Sequence, residues 1–237
     1  MARNTWFEFK QFRIEQQKAA MKVGTDGVLL GAWTPMVDNQ RIFDVGTGTG
    51  LIALMLAQRS NSMIDAVEID ELACEEAKFN FEQSLWSDQL KVFNGDFQAF
   101  ANLPNEPYDL IVSNPPFFVN SLKTQNAALS VARHNDMLTF DQLTTGARKL
   151  LSSTGRLCVI IPFEACVEFS GCARLAGFYL KQQTAVIPKT GRAPKRVLLE
   201  FTVLPGYPIT NELVILNEDG YYTGDYKKLT APFYLAF

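Results

Sequence analysis

Ile42-Phe43-Asp44-Val45-Gly46-Thr47-Gly48-Thr49-Gly50-Leu51 is the stretch that decides the fold. A short apolar run carrying one acid meets three alternating glycines, and an apolar segment from Leu51 to Arg59 follows. The run reads as a buried strand, the glycines as a tight turn and the segment after them as a helix. The same unit recurs on both sides of a fixed pattern. Met63 to Ile69 predicts a second strand and Glu71 to Gln83 an amphipathic helix. Leu90 to Phe93 predicts a third strand, closed by Asn94-Gly95-Asp96, and Tyr108 to Ser113 a fourth. Thr139 starts a helix over Phe140 to Leu151, Ser153 to Gly155 turn, and Arg156 to Ile161 form a fifth strand before a helix over Glu164 to Ala176. Phe178 to Ile187 and Arg196 to Leu204 are strands joined by a basic loop, 188–195, with no clear helix between them. Alternation at this pace predicts one α/β domain over 1–237, with a doubly wound sheet of about seven strands, mostly parallel, and an antiparallel hairpin at one edge.

The flanks are read as parts of that domain. Residues 1–35 form an N-terminal lid segment: Phe7, Phe9 and Phe12 alternate, Gln16 to Met21 looks helical, and Gly24-Thr25-Asp26-Gly27 marks a turn or helix start before Val28 to Trp33. Residues 205–237 form a Tyr-rich, irregular tail packed on the domain. The segment 119–138 is long and weakly patterned, which suits a mobile substrate loop. A composition of 47% hydrophobic and 20% charged residues fits an ordinary soluble domain. No apolar run approaches the ~20 residues of a membrane span, and the first residues lack the apolar core of a signal peptide, so the expected location is cytoplasmic. Cys74, Cys158, Cys166 and Cys172 show no Cys-x-x-Cys spacing and His134 is the one histidine, so no metal site is expected. A net charge of -3 argues against blanket binding to nucleic acid. Lys189, Arg192, Lys195 and Arg196 nevertheless share a window without an acid, and the N-terminus is also basic. These are the candidate phosphate contacts to a structured RNA, against the commoner reading of a solvated face.

The candidate chemistry lies where the strands end. Gly46-Thr47-Gly48-Thr49-Gly50 fails the dinucleotide spacing, because Leu51 stands where a third glycine belongs. Glu68 can accept both hydroxyls of a ribose; Asp70 competes for that role, although before Glu71-Leu72 it also suits a helix N-cap. Asp96 can accept from an adenine amine or be an ordinary turn aspartate. Asn114-Pro115-Pro116-Phe117 is a stiff corner, since the prolines end ladder pairing and hold the residues before them extended. The Asn114 side-chain oxygen and a prolyl carbonyl can accept from an exocyclic amine, with Phe117 stacked on its ring. The bland reading is a Pro-rich turn with its aromatics in the core.

Together these motifs resemble a known pattern. The glycine run after Asp44 is similar to motif I of class I S-adenosylmethionine-dependent methyltransferases. Asn114-Pro115-Pro116-Phe117 matches motif IV of the amino-methyltransferases. Lys22 to Trp33, Ala132-Arg133-His134, Tyr221-Tyr222-Thr223-Gly224-Asp225-Tyr226 and Phe233-Tyr234-Leu235 resemble the bacterial tRNA(1)(Val) adenine-37 N(6)-methyltransferase family over nearly the whole chain. The resemblance implies a Rossmann-like class I fold, S-adenosylmethionine as cofactor and tRNA as partner. It implies that Asp44, Gly46, Gly48, Glu68 and Asp96 bind the cofactor, and that Thr25 and Asp26 close over its methionine end. Asn114 and Pro115 would hold the target amine and Phe117 stack on the base. Arg133 and His134 would contact RNA. Rival readings are a protein glutamine or ribosomal guanine methyltransferase, a DNA adenine methyltransferase, or a catalytically silent RNA-binding protein.

Overall fold

In the strand Arg41–Val45 (β3), Ile42 and Asp44 face one side of the sheet and Phe43 and Val45 the other, and all four are buried. A strand covered on both faces needs a layer on each side. The structure, a computed structural model, describes residues 4–19, 21–38, 40–116 and 138–236 and supplies those layers. Its central sheet has eight strands. Besides β3 they are β4 (Met63–Glu68), β5 (Leu90–Asn94), β6 (Tyr108–Ser113), β7 (Leu151–Pro162), β8 (Tyr179–Lys189), β9 (Arg196–Thr202) and β10 (Ile209–Leu216). The order is β10-β8-β9-β7-β6-β3-β4-β5, and only β9 runs against the rest.

One face packs α1 (Thr25–Trp33), α2 (Leu51–Ala57) and Phe81 of α3 (Glu71–Glu82) on Ile42, Ala66, Val112 and Ile160. The other packs α4 (Phe97–Ala101), α5 (Phe140–Leu150) and α6 (Cys166–Leu175) on Phe43, Val67, Ile111 and Val159. The helix starts follow from local chemistry. Thr139 accepts from the Gln142 N–H while Gln142 accepts from the Thr139 N–H, a reciprocal cap on α5, in a position where such a cap is worth about 1 kcal/mol. Asp70 caps α3 through Ala73 N and Asp96 caps α4 through Ala99 N.

The ends of the chain differ from expectation. The sheet has eight strands rather than about seven, because the tail is not irregular: it forms β10 and then α7 (Gly224–Thr230). β10 pairs in parallel with β8, so the β8–β9 hairpin lies inside the sheet and not at its edge. The predicted turn at 153–155 is absorbed within β7 as a register shift opposite Tyr108 and Leu110. At the N-terminus, β1 (Trp6–Glu8) and β2 (Arg13–Glu15) form an antiparallel hairpin. It inserts Phe9, Phe12 and Ile14 into the first-face core. Residues 16–19 and 21 are not helical; the backbone donors of 17–19 go to a side chain of α3, as described below. The hairpin meets the tail directly: Lys10 N donates to Phe233 O at 2.8 Å and Lys10 Nζ to Ala231 O at 2.7 Å.

Candidate active site

The parallel strands β3, β4, β5 and β6 all end on one edge, where a doubly wound sheet holds its ligands. After β3 the chain passes through Gly46, Gly48 and Gly50 with φ of 71°, 58° and 85°, a region that side chains other than glycine rarely adopt. The glycines do different jobs. A Cβ on Gly50 would lie 2.5 Å from Phe81 Cε1, so this glycine permits close packing of the loop on α3. Among the described residues a Cβ on Gly46 or Gly48 would meet no atom within 4 Å, so these two present bare backbone.

The loop is braced from below. Gly46 N and Thr47 N donate to Val67 O at 2.9 and 3.2 Å. Gly48 N donates to Glu68 Oε2 at 2.8 Å, and Asp70 N donates to Glu68 Oε1 at 2.9 Å. Thr47 Oγ1 donates to Asp44 Oδ2 at 2.7 Å. Asp44 is fully buried, and its other oxygen has no partner among the described residues. Burial pushes its carboxyl up to about 7, against the Thr47 hydroxyl and the Ala53 N–H, which favour the ionised form; nearby Glu68 adds to the rise.

Above the loop lies a cavity of about 590 Å³, within the range of small-molecule sites. Gly46, Gly48, Glu68, Asp70, Asp96 and Asn114 line it. Glu68 and Asp70 both reach it; Asp70 accepts one backbone N–H in capping α3, and each Glu68 oxygen accepts one as well. Asp96 lines the cavity while its Oδ1 caps α4, so the turn reading and the ligand reading coexist. Asn114 follows the last residue of β6, and Ser113 Oγ, donating to Val45 O at 2.8 Å, ties β6 to β3 just beneath it. Asn114 Oδ1 is buried and accepts no hydrogen bond from a described residue. Such an orphan costs about 1–3 kcal/mol unless a ligand satisfies it. Pro115 behind it is buried and Pro116 lines the cavity.

Other expected residues lie elsewhere. Asp44 does not line the cavity; it holds the loop from behind. Thr25 and Asp26 do not line it either: Asp26 Oδ2 pairs with Arg196 Nε at 2.7 Å. That pair joins a residue expected to hold cofactor to one expected to hold phosphate. Arg196 opposes Pro162, the last residue of β7, and Lys189 ends β8, so the basic hairpin turns over on the same edge as Asn114. Of the N-terminal cations, Arg13 pairs with Glu15 and lies over the Trp6 ring, while Lys18 pairs with Glu75. Phe117, Arg133 and His134 lie outside the described residues.

The sequence reading missed Ala19, Met21, Ile69, Phe97 and Leu138, which also line the cavity. Only Ile69 had a signal, an apolar residue between two acids at the end of a strand. Among the described residues no group of three or more His, Cys, Asp or Glu could hold a metal, and no helix is long and apolar enough to cross a membrane.

The family model for the methyltransferase small domain matches residues 22–168. A tRNA1(Val) (adenine(37)-N6)-methyltransferase of Bacteroides fragilis is 45% identical over 231 residues, 97% of this chain and 98% of that protein. The proteins of the same name from Flavobacterium johnsoniae and Photorhabdus laumondii are 46% and 41% identical over 97% and 100% of this chain, and 99% and 98% of their own lengths. Among solved structures, a predicted O-methyltransferase from Agrobacterium tumefaciens superposes with a TM-score of 0.70 at 18% identity, covering 88% of this chain and 96% of that one. At that identity the likeness shows the fold alone.

Proposed function

The chain belongs to the tRNA1(Val) (adenine(37)-N6)-methyltransferase family, and from that premise we propose that the Asn114 corner grips the amine to be methylated. The reaction is transfer of the methyl group of S-adenosylmethionine to the exocyclic N6 of an adenosine in tRNA, adenosine 37 of tRNA1(Val). We infer a cytoplasmic site of action, where such a substrate is found.

The cavity fits the cofactor. Gly46 and Gly48 offer bare backbone, Glu68 a carboxylate for the ribose hydroxyls, Asp96 an acceptor for the adenine amine, and Ile69 and Phe97 apolar surface for its ring. S-adenosylmethionine supplies, when bound, a methyl group already activated on a sulfonium. The chain's own contribution is positioning. The N6 amine of adenine is a poor nucleophile, because its lone pair is delocalised into the ring. Asn114 Oδ1 and the Pro115 carbonyl accept from its two hydrogens, which favours a pyramidal nitrogen and localises the lone pair. No strong base is required: methylation makes the nitrogen strongly acidic, and its proton leaves to water. The target base must leave its stack to enter, and an adenosine in the anticodon loop does so at less cost than one in a duplex. Lys189, Arg192 and Lys195 are the proposed phosphate contacts. Phe117, Arg133 and His134 keep their proposed roles in stacking and RNA contact on the strength of the motifs alone.

The observation that carries this reading is the buried Asn114 Oδ1 at the wall of the cavity, without a hydrogen-bond partner among the described residues. The test is methyl transfer from labelled S-adenosylmethionine to total tRNA, ribosomal RNA, DNA and release factor, with digestion of the product. Label is expected in N6-methyladenosine from tRNA; label in guanine or glutamine would refute the reading. Asn114→Ala should lower kcat by about 100- to 1,000-fold, the scale of losing one positioned transition-state hydrogen bond, with cofactor affinity unchanged. An active variant would refute the role of Asn114.

A further inference from the structure

Ala19 and Met21 line the cofactor cavity although they belong to neither the sheet nor its helices. What holds Ala19 there, with the residues leading up to it, is α3. Ala73 of α3 also lines the cavity, and Glu76 lies one turn further along the same helix face. The Glu76 side chain is buried. Its Oε1 accepts the backbone N–H groups of Gln17 and Lys18, the latter at 2.9 Å, and its Oε2 accepts that of Ala19 at 2.9 Å. One turn beyond, buried Asn80 accepts from Glu15 N at 2.9 Å. Its amide donates to Glu15 O at 3.0 Å and to Thr49 O in the glycine loop at 2.9 Å. Gln16 closes the segment on its other side, accepting from Val23 N at 2.7 Å and donating to Asn4 O at 3.1 Å.

These bonds explain why 16–19 is not helical: successive N–H groups point outward to one carboxylate instead of inward along a helix. The acceptor must be a carboxylate. Both of its oxygens are used, and a side-chain amide would set an N–H donor against the N–H of Ala19 or of Gln17 and Lys18. The segment is thereby tied to the helix that flanks the cavity and, through Asn80, to the loop that floors it.

We propose that Glu76, with Asn80 behind it, is a positioning residue for methyl transfer: it fixes residues 15–19 so that Ala19 and Met21 stand as a wall of the cofactor site. This rests on the reading of that cavity as the S-adenosylmethionine site. Neither residue touches the reacting atoms, so the expected effect is on cofactor binding and not on the chemical step.

The test uses the full chain as wild type, Glu76→Gln and Glu76→Asp. Amide hydrogen exchange is followed at residues 17–19 without cofactor, and binding of S-adenosylhomocysteine by calorimetry. KM is measured for each substrate, with kcat and the thermal midpoint alongside. In the wild type the amides of 17–19 are expected to be protected. Glu76→Gln should lose that protection, weaken S-adenosylhomocysteine about tenfold, the scale of a lost charge-assisted bond, and raise KM for the methyl donor alike. KM for tRNA and kcat at saturation should stay within about twofold. Glu76→Asp, which keeps the charge, should recover part of the loss. Unprotected amides in the wild type would overturn the proposal without any variant. A Glu76→Gln protein with a lowered thermal midpoint but unchanged cofactor affinity would overturn it too, as would a rise in KM for tRNA alone. If the wild type itself bound no S-adenosylhomocysteine, the cofactor reading would fall; wild type and Glu76→Gln binding equally well would sink only this proposal.

Discussion

On one side of Asn114 the strands β3, β4 and β5 lead into glycines and acids: Gly46 and Gly48, Glu68 and Asp70, Asp96. On the other side β8 and β9 meet in a turn carrying Lys189, Arg192, Lys195 and Arg196. The two halves of one sheet edge differ in more than charge. The acidic half is concave, and its carboxylates are held by backbone donors, Glu68 by Gly48 and Asp70, Asp70 by Ala73, Asp96 by Ala99. The basic half offers exposed Arg192 and Lys195 beside half-buried Lys189 and Arg196. A small ligand needs the first kind of surface, preformed and precise. A polyanion needs the second, where attraction is long-ranged and tolerant of position. In the proposed site the acids would repel a phosphate backbone from the cavity side, leaving the border at Asn114 for the base.

The sharpest way to break this division is Glu68→Gln. It removes the charge that holds Gly48 and that receives the ribose in the proposed site. KM for S-adenosylmethionine should rise about 10- to 100-fold with KM for tRNA unchanged; steady-state kinetics with each substrate varied decides it, and a change confined to tRNA would erase the division. Next in size is the combined replacement of Lys189, Arg192 and Lys195 by Gln. Arg196 is kept because it pairs with Asp26. Affinity for tRNA should fall about tenfold near 0.15 M salt and its log–log salt slope should flatten by about 2, with cofactor affinity untouched in calorimetry. An unflattened slope would move the phosphate contacts elsewhere. A third effect, on stability, concerns Asp44, whose carboxyl rises from 3.8 to about 7 on folding. A raised acid binds its extra proton in the folded state, so its stabilisation is complete below pH 3.8 and is lost as pH climbs through 7. Relative to Asp44→Asn, the wild-type thermal midpoint should therefore drop between pH 5 and pH 8 by about 5–10 °C, since about two pH units are worth about 2.7 kcal/mol at about 2–4 °C per kcal/mol for a chain of this length. Parallel profiles would show that Asp44 does not change charge there.

The same two halves show what was legible in the sequence and what was not. The central strands alternate with helices, and their apolar runs are covered on both faces, so local pattern and tertiary demand agree. The helix N-cap reading of Asp70, before Glu71-Leu72, was legible, and the side chain does cap α3; both Asp70 and Glu68 line the cavity. β10 escaped notice because its first four residues are exposed and its strand partner among the described residues is β8, with β9 between them in sequence. Gln16-Gln17-Lys18-Ala19 is built of good helix formers, yet Glu76 takes its N–H groups. Propensity yields there to a contact nearly sixty positions away. α4 is only five residues long, Phe97–Ala101, too short for a periodic signal. The motif around Asp26 was read for a ligand; its partner, Arg196, lies across the fold and no spacing reveals it.

Lys10 binds Ala231 and Phe233, 221 residues along the chain from the nearer of them. On a ribosome adding about 5–20 residues per second, the N-terminal hairpin emerges and then waits roughly 10–45 s for its seat to be made. Ala19 and Met21, which line the cavity, follow shortly after that hairpin. Translation order thus separates the early contacts of residues 15–19 with Glu76 and Asn80 from the late one between hairpin and tail: a chain halted before position 231 can make the first but lacks the second.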